Sequence, residues 1–456
     1  MDQSRHFIQG LFQMLLRTAA IAGMLVPALA NAQPPQRTLL TGAEVITMEG
    51  GWTNPLRLEI LIEGDRIAAI APELKAEGAE VIDLSGLLIT PGLVDGHSHM
   101  WSAIARGLGD DSAETMDALA EVWTPEASAL SVELAAALAV NSGITWVNNW
   151  ADNVVSPEHA DAEVGAMRDS GLGGRFNYGY PHAGSHDKPM DLDDLRDTVS
   201  TWEHGPVGLG VALRGPDSST PEVLQEEISK ARGYGLPVSF HMGGSQGAAE
   251  LHNVQAMSDQ GMLGADVQVV HMTSAPAEDL ARLAEAGSPL IVAPTTEAAM
   301  DFGAPDIGAI REAGLNMGVG VGTTGPEGAA DMFTVMRLVA EAADETMGEE
   351  AINGATVFDW ATRAGALAVQ APDGVGTLVK GGPADLIAIS TEGLDETGKL
   401  PPDIELTRKA GPDNVRFVMI GGEIHKADGK LTKVDLEALT NEAAEMMNEL
   451  QEKLGG

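Results

Sequence analysis

Apolar and polar residues alternate along the first part of this chain in the manner of half-buried strands. Thr38–Met48 and Leu58–Ile70 both show the alternation, and the second run contains a turn at Glu63-Gly64-Asp65. A period of two residues places every second side chain on the same face of a strand. Val81–Leu88 continues the pattern, so the sequence predicts a small β unit that ends near residue 90.

From residue 87 onward, short apolar strands alternate with helical stretches rich in alanine, leucine and glutamate. The predicted strands are Leu87–His99, Thr145–Trp150, Arg175–Tyr180, Val207–Leu213, Pro237–His241, Val267–His271, Pro289–Ala293 and Leu315–Gly322. The helices predicted between them include Glu126–Val140, Pro157–Ser170, Pro221–Tyr234 and Ala277–Ala286. Serial βα units of this number are typical of a (β/α)₈ barrel, with a doubly wound open sheet as the competing interpretation. The count of strands and the lack of a glycine-rich phosphate loop favour the barrel.

Strand patterns return near the end of the chain and predict a domain made from both chain ends. We expect the small N-terminal sheet to be completed by Ala384–Ser390, Val415–Ile420 and Gly422–His425. The pattern of Lys433–Leu454 predicts an acidic amphipathic helix. The predicted α/β fold is therefore a TIM-like barrel with a small discontinuous β-sandwich. We assign residues 33–90 and 372–430 to the composite sandwich, 91–371 to the barrel and 431–456 to a C-terminal helix.

The first 32 residues predict export. Arg5 and Arg17 precede the apolar run Thr18–Ala30, and Ala28-Leu29-Ala30 or Ala30-Asn31-Ala32 offers a small-x-small cleavage site. These features are typical of a secretory signal peptide, and we expect a periplasmic or secreted protein. No later segment reaches the roughly 18 apolar residues of a membrane span, so none is expected after signal removal.

Composition excludes several classes of function. The chain contains no cysteine, so disulfides, cysteine nucleophiles and cysteine metal ligands are excluded. The formal net charge is −40, and such a field repels nucleic acid and acidic membrane surfaces. The expected partner is a small-molecule substrate.

Histidines end three of the predicted barrel strands. His97 and His99 are two residues apart, so on a strand they share one face, as a pair that chelates a divalent cation does. His241 and His271 end the fifth and sixth strands. Catalytic groups of such barrels gather at the carboxyl ends of the strands, so these four side chains predict a metal-dependent site.

Four segments carry a family resemblance: residues 91–99 (PGLVDGHSH), 238–241 (VSFH), 269–271 (VVH) and 415–429, which contains a Gly-Gly-Glu-Ile turn. With them and the N-terminal sandwich strands, nearly all of the mature chain resembles the amidohydrolase superfamily, specifically its cytosine-deaminase and triazine-hydrolase-like branch. The resemblance implies one divalent metal, zinc or else iron or another transition metal, bound by His97, His99 and His241. It also implies that His271 hydrogen-bonds the attacking water or the substrate. Members of this family are often oligomeric, so a homo-oligomer is a further expectation.

The chain departs from the family pattern at two positions that carry acids in relatives. Gly244 stands three residues after His241, where a glutamate is common, and Gly322-Thr323-Thr324-Gly325 stands where Gly-Thr-Asp-Gly is usual. A threonine hydroxyl is neutral near pH 7 and cannot take a proton from water. Glu297, after strand seven, is our first candidate for a replacement general base and Asp152, after strand two, is the second.

Aromatic and soft side chains follow several strand ends and predict a pocket for an apolar or planar ligand. The predicted substrate-binding residues are Trp101, Trp150, Tyr180, His182 and Met242. Packing beneath the loops is the alternative role for the same side chains.

The predicted function is a secreted, metal-dependent amidohydrolase. It would hydrolyse an amide, amidine or aminated-ring C–N bond of a small organic substrate through a metal-activated water, as a hydrolase acting on carbon–nitrogen bonds other than peptide bonds. His271 and Glu297 are the predicted catalytic residues. Two alternatives remain open: a degenerate member that binds a small ligand without hydrolysis, and a lyase or isomerase that uses the same pocket.

Overall fold

The computed structural model describes residues 36–455 except 107, 109–112, 246, 324, 326–330, 349–350 and 396–399. Within those residues a parallel nine-stranded sheet forms the centre of the fold. In chain order its strands are Leu93–His99, Ile144–Ala151, Gly173–Tyr178, Val207–Leu213, Val238–Met242, Val267–His271, Leu290–Val292, Met317–Val319 and Gly322–Thr323. The predicted signal peptide, residues 1–32, and Thr324 lie outside the described residues.

The parallel sheet closes on itself through an interrupted eighth strand. Met317–Val319 pairs with strand seven, and Gly322–Thr323, separated from it by two residues, pairs with strand one. The register places Gly322 opposite Ser98 and Thr323 opposite His99. The prediction of a TIM-like barrel is confirmed, and this closure places Gly322–Thr323 beside the His-x-His segment.

Helices cover the barrel and begin at recognisable capping residues. Pro221–Tyr234, for example, begins with proline after Thr220, whose hydroxyl accepts a hydrogen bond from the Val223 amide at 3.3 Å, and it ends at the left-handed Gly235. The α-helices are Ala113–Val122, Pro125–Asn141, Pro157–Ser170, Leu192–Thr201, Pro221–Tyr234, Asn253–Asp259, Ala277–Ala286, Pro294–Ala299, Ile307–Glu312, Met332–Met347, Gly354–Trp360, Arg363–Ala368, Pro402–Ile404 and Leu436–Gly455. Shorter helical turns are Met100–Ala105, Ala248–Leu251, Glu405–Lys409 and Pro412–Asn414.

Two further sheets accompany the barrel sheet; the four-stranded one contains N-terminal strands, and the seven-stranded one combines strands from both ends of the chain. One has the order Arg66–Ala71, Glu59–Glu63, Arg37–Thr41, Glu80–Asp83. The other has the order Lys430–Leu431, Glu423–Ala427, Val415–Ile420, Leu386–Ser390, Leu87–Pro91, Glu44–Val45, Leu56–Arg57. Buried apolar side chains of both sheets, such as Ile60 and Phe417, belong to one core cluster. The domain boundaries assigned from the sequence stay predictions.

The prediction of a single strand at Leu87–His99 is wrong, because this segment forms two strands that belong to two different sheets. Leu87–Pro91 pairs with Leu386–Ser390 in the seven-stranded sheet, whereas Leu93–His99 is the first barrel strand. Gly92 lies at the break, and a Cβ atom there would meet the Thr145 hydroxyl oxygen at 2.0 Å. Both halves are apolar, so hydrophobic periodicity could not reveal the change of sheet.

The C-terminal helix begins three residues later than predicted. Asp435 accepts hydrogen bonds from the Glu437 and Ala438 amides, each at 3.1 Å, and so acts as the N-cap of Leu436–Gly455. The buried face consists of Leu439, Ala443, Met447 and Leu450. Across the part of the chain that the structure describes, no helix has the length and apolar character needed to cross a membrane.

Candidate metal centre

The ends of barrel strands one, five and six bring four histidines into one cluster. The ring centroid of His97 lies 4.6 Å from that of His99 and 5.0 Å from that of His241. The His241 and His271 rings stack with a centroid distance of 5.1 Å. His97 is fully buried and His271 is nearly so. The predicted placement of all four histidines at one face of the barrel is therefore present.

The ring nitrogens of this cluster are spaced as ligands of one ion would be. The Nε2 atoms of His97 and His241 are 3.2 Å apart, and ligand atoms of His97, His241 and His271 all lie within 4.8 Å of one another. Two nitrogens bound to one tetrahedral zinc at ~2.0–2.1 Å are separated by roughly 3.3 Å. The His97–His241 pair thus fits a divalent ion without a change in ring position.

Carboxylates fix the outer edges of the other two rings. His99 Nδ1 donates to Asp152 Oδ1 at 2.7 Å, and His271 Nδ1 donates to Glu297 Oε1 at 3.2 Å. A proton held on Nδ1 by a carboxylate leaves the Nε2 lone pair for a metal or for a proton. Both rings are therefore prepared for use at Nε2.

The environment keeps the central histidines neutral. Burial, followed by the charges of neighbouring histidines, holds the pKa of His97 and of His241 well below the ordinary histidine value. Metal ligation requires neutral imidazole, so the fold has removed the competing proton.

Asp95 positions His97 and joins strand one to strand eight. Its Oδ1 accepts the backbone N–H groups of His97 at 3.2 Å and of Val321 at 2.9 Å. Burial raises the pKa of Asp95 to about 7. The aspartate of the Pro-Gly-Leu-Val-Asp run is thus a structural neighbour of the site.

Asp152 is the centre of a second group of contacts. Besides His99, its Oδ1 accepts the indole N–H of Trp101 at 2.6 Å, and its Oδ2 lies 3.8 Å from His182 Nδ1. Burial alone would raise the pKa of Asp152, but His99 and His182 outweigh it and lower the pKa below the ordinary value. Asp152 is therefore a charged group that orients its neighbours.

Glu297, the predicted general base, lies behind His271. Its side chain is fully buried in the short helix Pro294–Ala299, and Oε1 also accepts the Ala293 amide at 2.8 Å. The carboxylate meets His271 on the ring edge opposite Nε2. This geometry favours action through His271 over direct contact with substrate.

The backbone at the end of strand six is strained. His271 has φ +85° and Met272 has φ +56°, values in the left-handed region that side-chain-bearing residues rarely adopt. Such conformations cost of order 1–3 kcal/mol each and are concentrated at functional sites. The fold stabilises this unfavourable geometry to place the His271 ring.

The predicted substrate-binding residues lie in different surroundings. Trp150 is fully buried and stacks on His241 with a centroid distance of 4.2 Å, while Trp101 and His182 contact each other near Asp152 at 5.2 Å. Tyr180 packs beneath the Arg214 guanidinium at 4.0 Å, and Met242 is buried. Of the five, His182 has the most exposed side chain in this region, at 30%.

Sequence reasoning missed one side chain beside the cluster. The Phe302 ring lies 5.2 Å from the His271 ring, nearly perpendicular to it. Phe302 also fills the space next to Gly244, where a Cβ atom would meet its ring carbon Cε2 at 2.8 Å. The glycine at position 244 was the one available signal that a neighbouring group approaches closely.

Comparison with known proteins identifies what the chain is similar to. A family model described as "Amidohydrolase family" matches residues 88–425. A 5-methylthioadenosine/S-adenosylhomocysteine deaminase of Nitratidesulfovibrio vulgaris is 27% identical over 87% of this chain and 92% of its own length. A 5'-deoxyadenosine deaminase of Methanosarcina mazei is 25% identical over 90% of this chain and 98% of its own length.

Solved structures share the fold. A zinc-bound adenosine deaminase from Xanthomonas campestris superposes with a TM-score of 0.82 at 20% identity, covering 92% of this chain and 99% of that chain. An atrazine chlorohydrolase from Arthrobacter aurescens, complexed with zinc, gives a TM-score of 0.77 at 21% identity over 90% of this chain and 100% of that one.

Proposed function

We propose that this chain, which belongs to the amidohydrolase family, is a metal-dependent hydrolase that cleaves a carbon–nitrogen bond other than a peptide bond. The observation that carries the proposal is the cluster of four strand-end imidazoles, with two Nε2 atoms 3.2 Å apart and two rings backed by carboxylates. The deaminase names of its relatives support the class of bond. Family membership confirms the resemblance found in the sequence.

We assign the ligands to His97, His99 and His241. Three imidazoles leave a fourth position open, as catalytic zinc sites require, whereas four would close the site. When bound, a divalent ion such as zinc supplies Lewis-acid activation of water near neutral pH. No carboxylate belongs to this ligand set, so the three residues would leave the charge of the ion unreduced.

His271 then serves as the group that moves the proton. Its Nδ1 donates to Glu297, which fixes the ring and leaves Nε2 to accept a proton from water and return it to the leaving nitrogen. In this assignment Glu297 is a positioning residue, since it acts through the His271 ring.

A second ligand set deserves a direct test because the converging nitrogens belong to His97, His241 and His271. In that arrangement the His99–Asp152 pair would handle the proton. The two assignments differ in which variant loses the metal: His271→Ala in the second set, His99→Ala in the first.

The experiment that tests the function combines metal analysis with a substrate panel. We expect about one zinc or similar ion per chain, lost in His97→Ala and retained in His204→Ala, an exposed histidine away from the cluster. We would measure turnover of adenosine, 5'-deoxyadenosine, cytosine, melamine and N-acetyl amino acids. Any turnover should be present in the variants that keep the metal and absent in those that lose it. Metal without turnover would support the degenerate binder, and turnover in metal-free His97→Ala would refute the metal mechanism.

We also propose export through the N-terminal segment, on the support of its charge and apolar pattern alone. Expression in a Gram-negative host should release a periplasmic protein whose first residue follows Ala30 or Ala32. A cytoplasmic product that keeps Met1 would contradict export.

A further inference from the structure

Phe302 is held in place by its backbone on both sides. Its N–H donates to the Glu297 carbonyl at 2.9 Å, and its own carbonyl accepts the Thr273 hydroxyl, also at 2.9 Å. The flanking residues Asp301 and Gly303 have φ angles of +53° and +88°, so the chain turns sharply before and after it. The loop after strand seven thus presents this ring from a fixed position.

The ring occupies space that the strand-five loop leaves free. A Cβ atom at Gly244 would approach Phe302 Cε2 to 2.8 Å and Cδ2 to 2.9 Å, distances that real Cβ atoms do not show. Gly244 is buried, so a side chain there could not turn away into solvent. An acidic side chain at position 244 is therefore incompatible with Phe302 where it stands.

Phe302 is the outer member of a row of rings. Trp150 stacks on His241 at 4.2 Å, His241 stacks on His271 at 5.1 Å, and His271 meets Phe302 at 5.2 Å. Trp150 at one end is fully buried, whereas Phe302 at the other end is only half-buried. Phe302 thus keeps part of its surface uncovered at the end of the row that adjoins His271.

We propose that Phe302, packed on Gly244, is the specificity wall of the pocket and selects substrates with a flat, uncharged aromatic or heteroaromatic ring. This inference rests on the proposed function and narrows its substrate class. Aromatic rings gain from offset or edge-on contact with phenylalanine, whereas a charged group placed there would lose hydration without a partner.

Binding measurements test the wall separately from turnover. We would titrate the metal-loaded protein with adenine, cytosine and melamine by calorimetry, using N-acetyl-alanine as the charged, aliphatic comparison. At least one flat compound should bind, and Phe302→Ala should weaken it about tenfold and Phe302→Leu about threefold, in keeping with the worth of an aromatic contact. Met300→Ala, an exposed side chain on the same loop, is the matched control and should change nothing.

The two proposals fail in different ways. If a flat compound bound in a manner that depends on Phe302 but no compound were turned over, the specificity role of Phe302 would stand and the proposed hydrolysis would be refuted. Turnover or binding that is equal in Phe302→Ala and Met300→Ala, or no binding of any flat compound, would overturn the wall.

A double variant tests the packing itself. Gly244→Ala should displace the ring and weaken binding as much as Phe302→Ala does, and Gly244→Ala/Phe302→Ala should be no worse than Phe302→Ala alone. Contacting residues give non-additive effects of this kind, so losses that simply add would contradict the proposed contact.

Discussion

The two sides of the histidine cluster use the same pair of groups but hold them differently. On one side His99 donates a hydrogen bond to Asp152. The Asp152 carboxylate also accepts the indole N–H of Trp101 and lies near the His182 ring. On the other side His271 donates to Glu297, whose second oxygen, Oε2, has no hydrogen-bond partner among the residues that the structure describes.

The backbone differs between the two sides as well. His99 ends its strand with an ordinary φ of −96°, whereas His271 has a strained φ of +85°. A charged aspartate surrounded by donors suits a fixed ligand, because every contact resists movement of the ring. On the other side, the His271 backbone is strained and Glu297 Oε2 has no hydrogen-bond partner among the described residues. This arrangement suits a histidine that gains and loses a proton during turnover. The paired histidines therefore divide into a holding side, His99 with Asp152, and a working side, His271 with Glu297.

The largest loss of activity should come from a change that disrupts the whole histidine cluster, including both the His99 and the His271 side. His97→Ala deletes the nitrogen that faces His241, and we expect kcat/KM to fall by about 10³ or more along with loss of the ion. Metal content and steady-state kinetics on the same preparation check this. Full activity with normal metal content would mean that the cluster is not the reaction centre.

Asp152→Asn should break the holding side. The amide keeps the shape but cannot serve as a charged acceptor for His99, so metal affinity should fall about 10–100-fold. Competition with a chelator measures the affinity, and Asp187→Asn, an exposed aspartate, is the control. Unchanged affinity would remove Asp152 from the metal site.

Glu297→Gln should affect the working side alone, because the Glu297 carboxylate contacts the His271 ring. We expect kcat to fall about tenfold with KM and metal content unchanged, and the acidic limb of the kcat–pH profile to move. Loss of the ion instead would identify His271 as the third ligand and transfer the proton role to His99.

The smallest effect on activity should come from Glu163, a second carboxyl group behind the holding side. Its Oε2 accepts from the Asn149 amide at 3.4 Å, and burial raises its pKa to about 8. Because the folded pKa is above the unfolded value, its contribution to stability is present below the unfolded pKa and is lost as pH rises towards 8.

Denaturant unfolding of wild type and Glu163→Gln between pH 5 and pH 8 checks this difference between the two carboxyl groups. Wild type should lose stability across the range relative to the variant, while turnover should stay within about twofold. If the free energy of unfolding of wild type and Glu163→Gln changed with pH in the same way, Glu163 would be ionised in the folded protein, as Asp152 is.

Residues with a repeating pattern could be predicted from the sequence, and those placed by loop geometry could not. The barrel strands and the four histidines were recognisable because apolar runs end in polar residues at regular intervals. Asp152 and Glu297 were found as nearby acids, but their position behind His99 and His271 depends on side-chain direction, which spacing does not encode. Phe302 reaches the site through a turn that begins with the non-glycine Asp301 in a left-handed conformation.

The division of residues 87–99 between two sheets has a consequence for how the protein is made. The strand that carries His97 and His99 is completed by Gly322–Thr323, and the strand just before it is completed by Leu386–Ser390. Pairings across such separations form slowly, since long loops must close first. We therefore expect the strand that carries His97 and His99, although synthesised early, to lack one of its two neighbouring strands until residues 322–323 have also been synthesised.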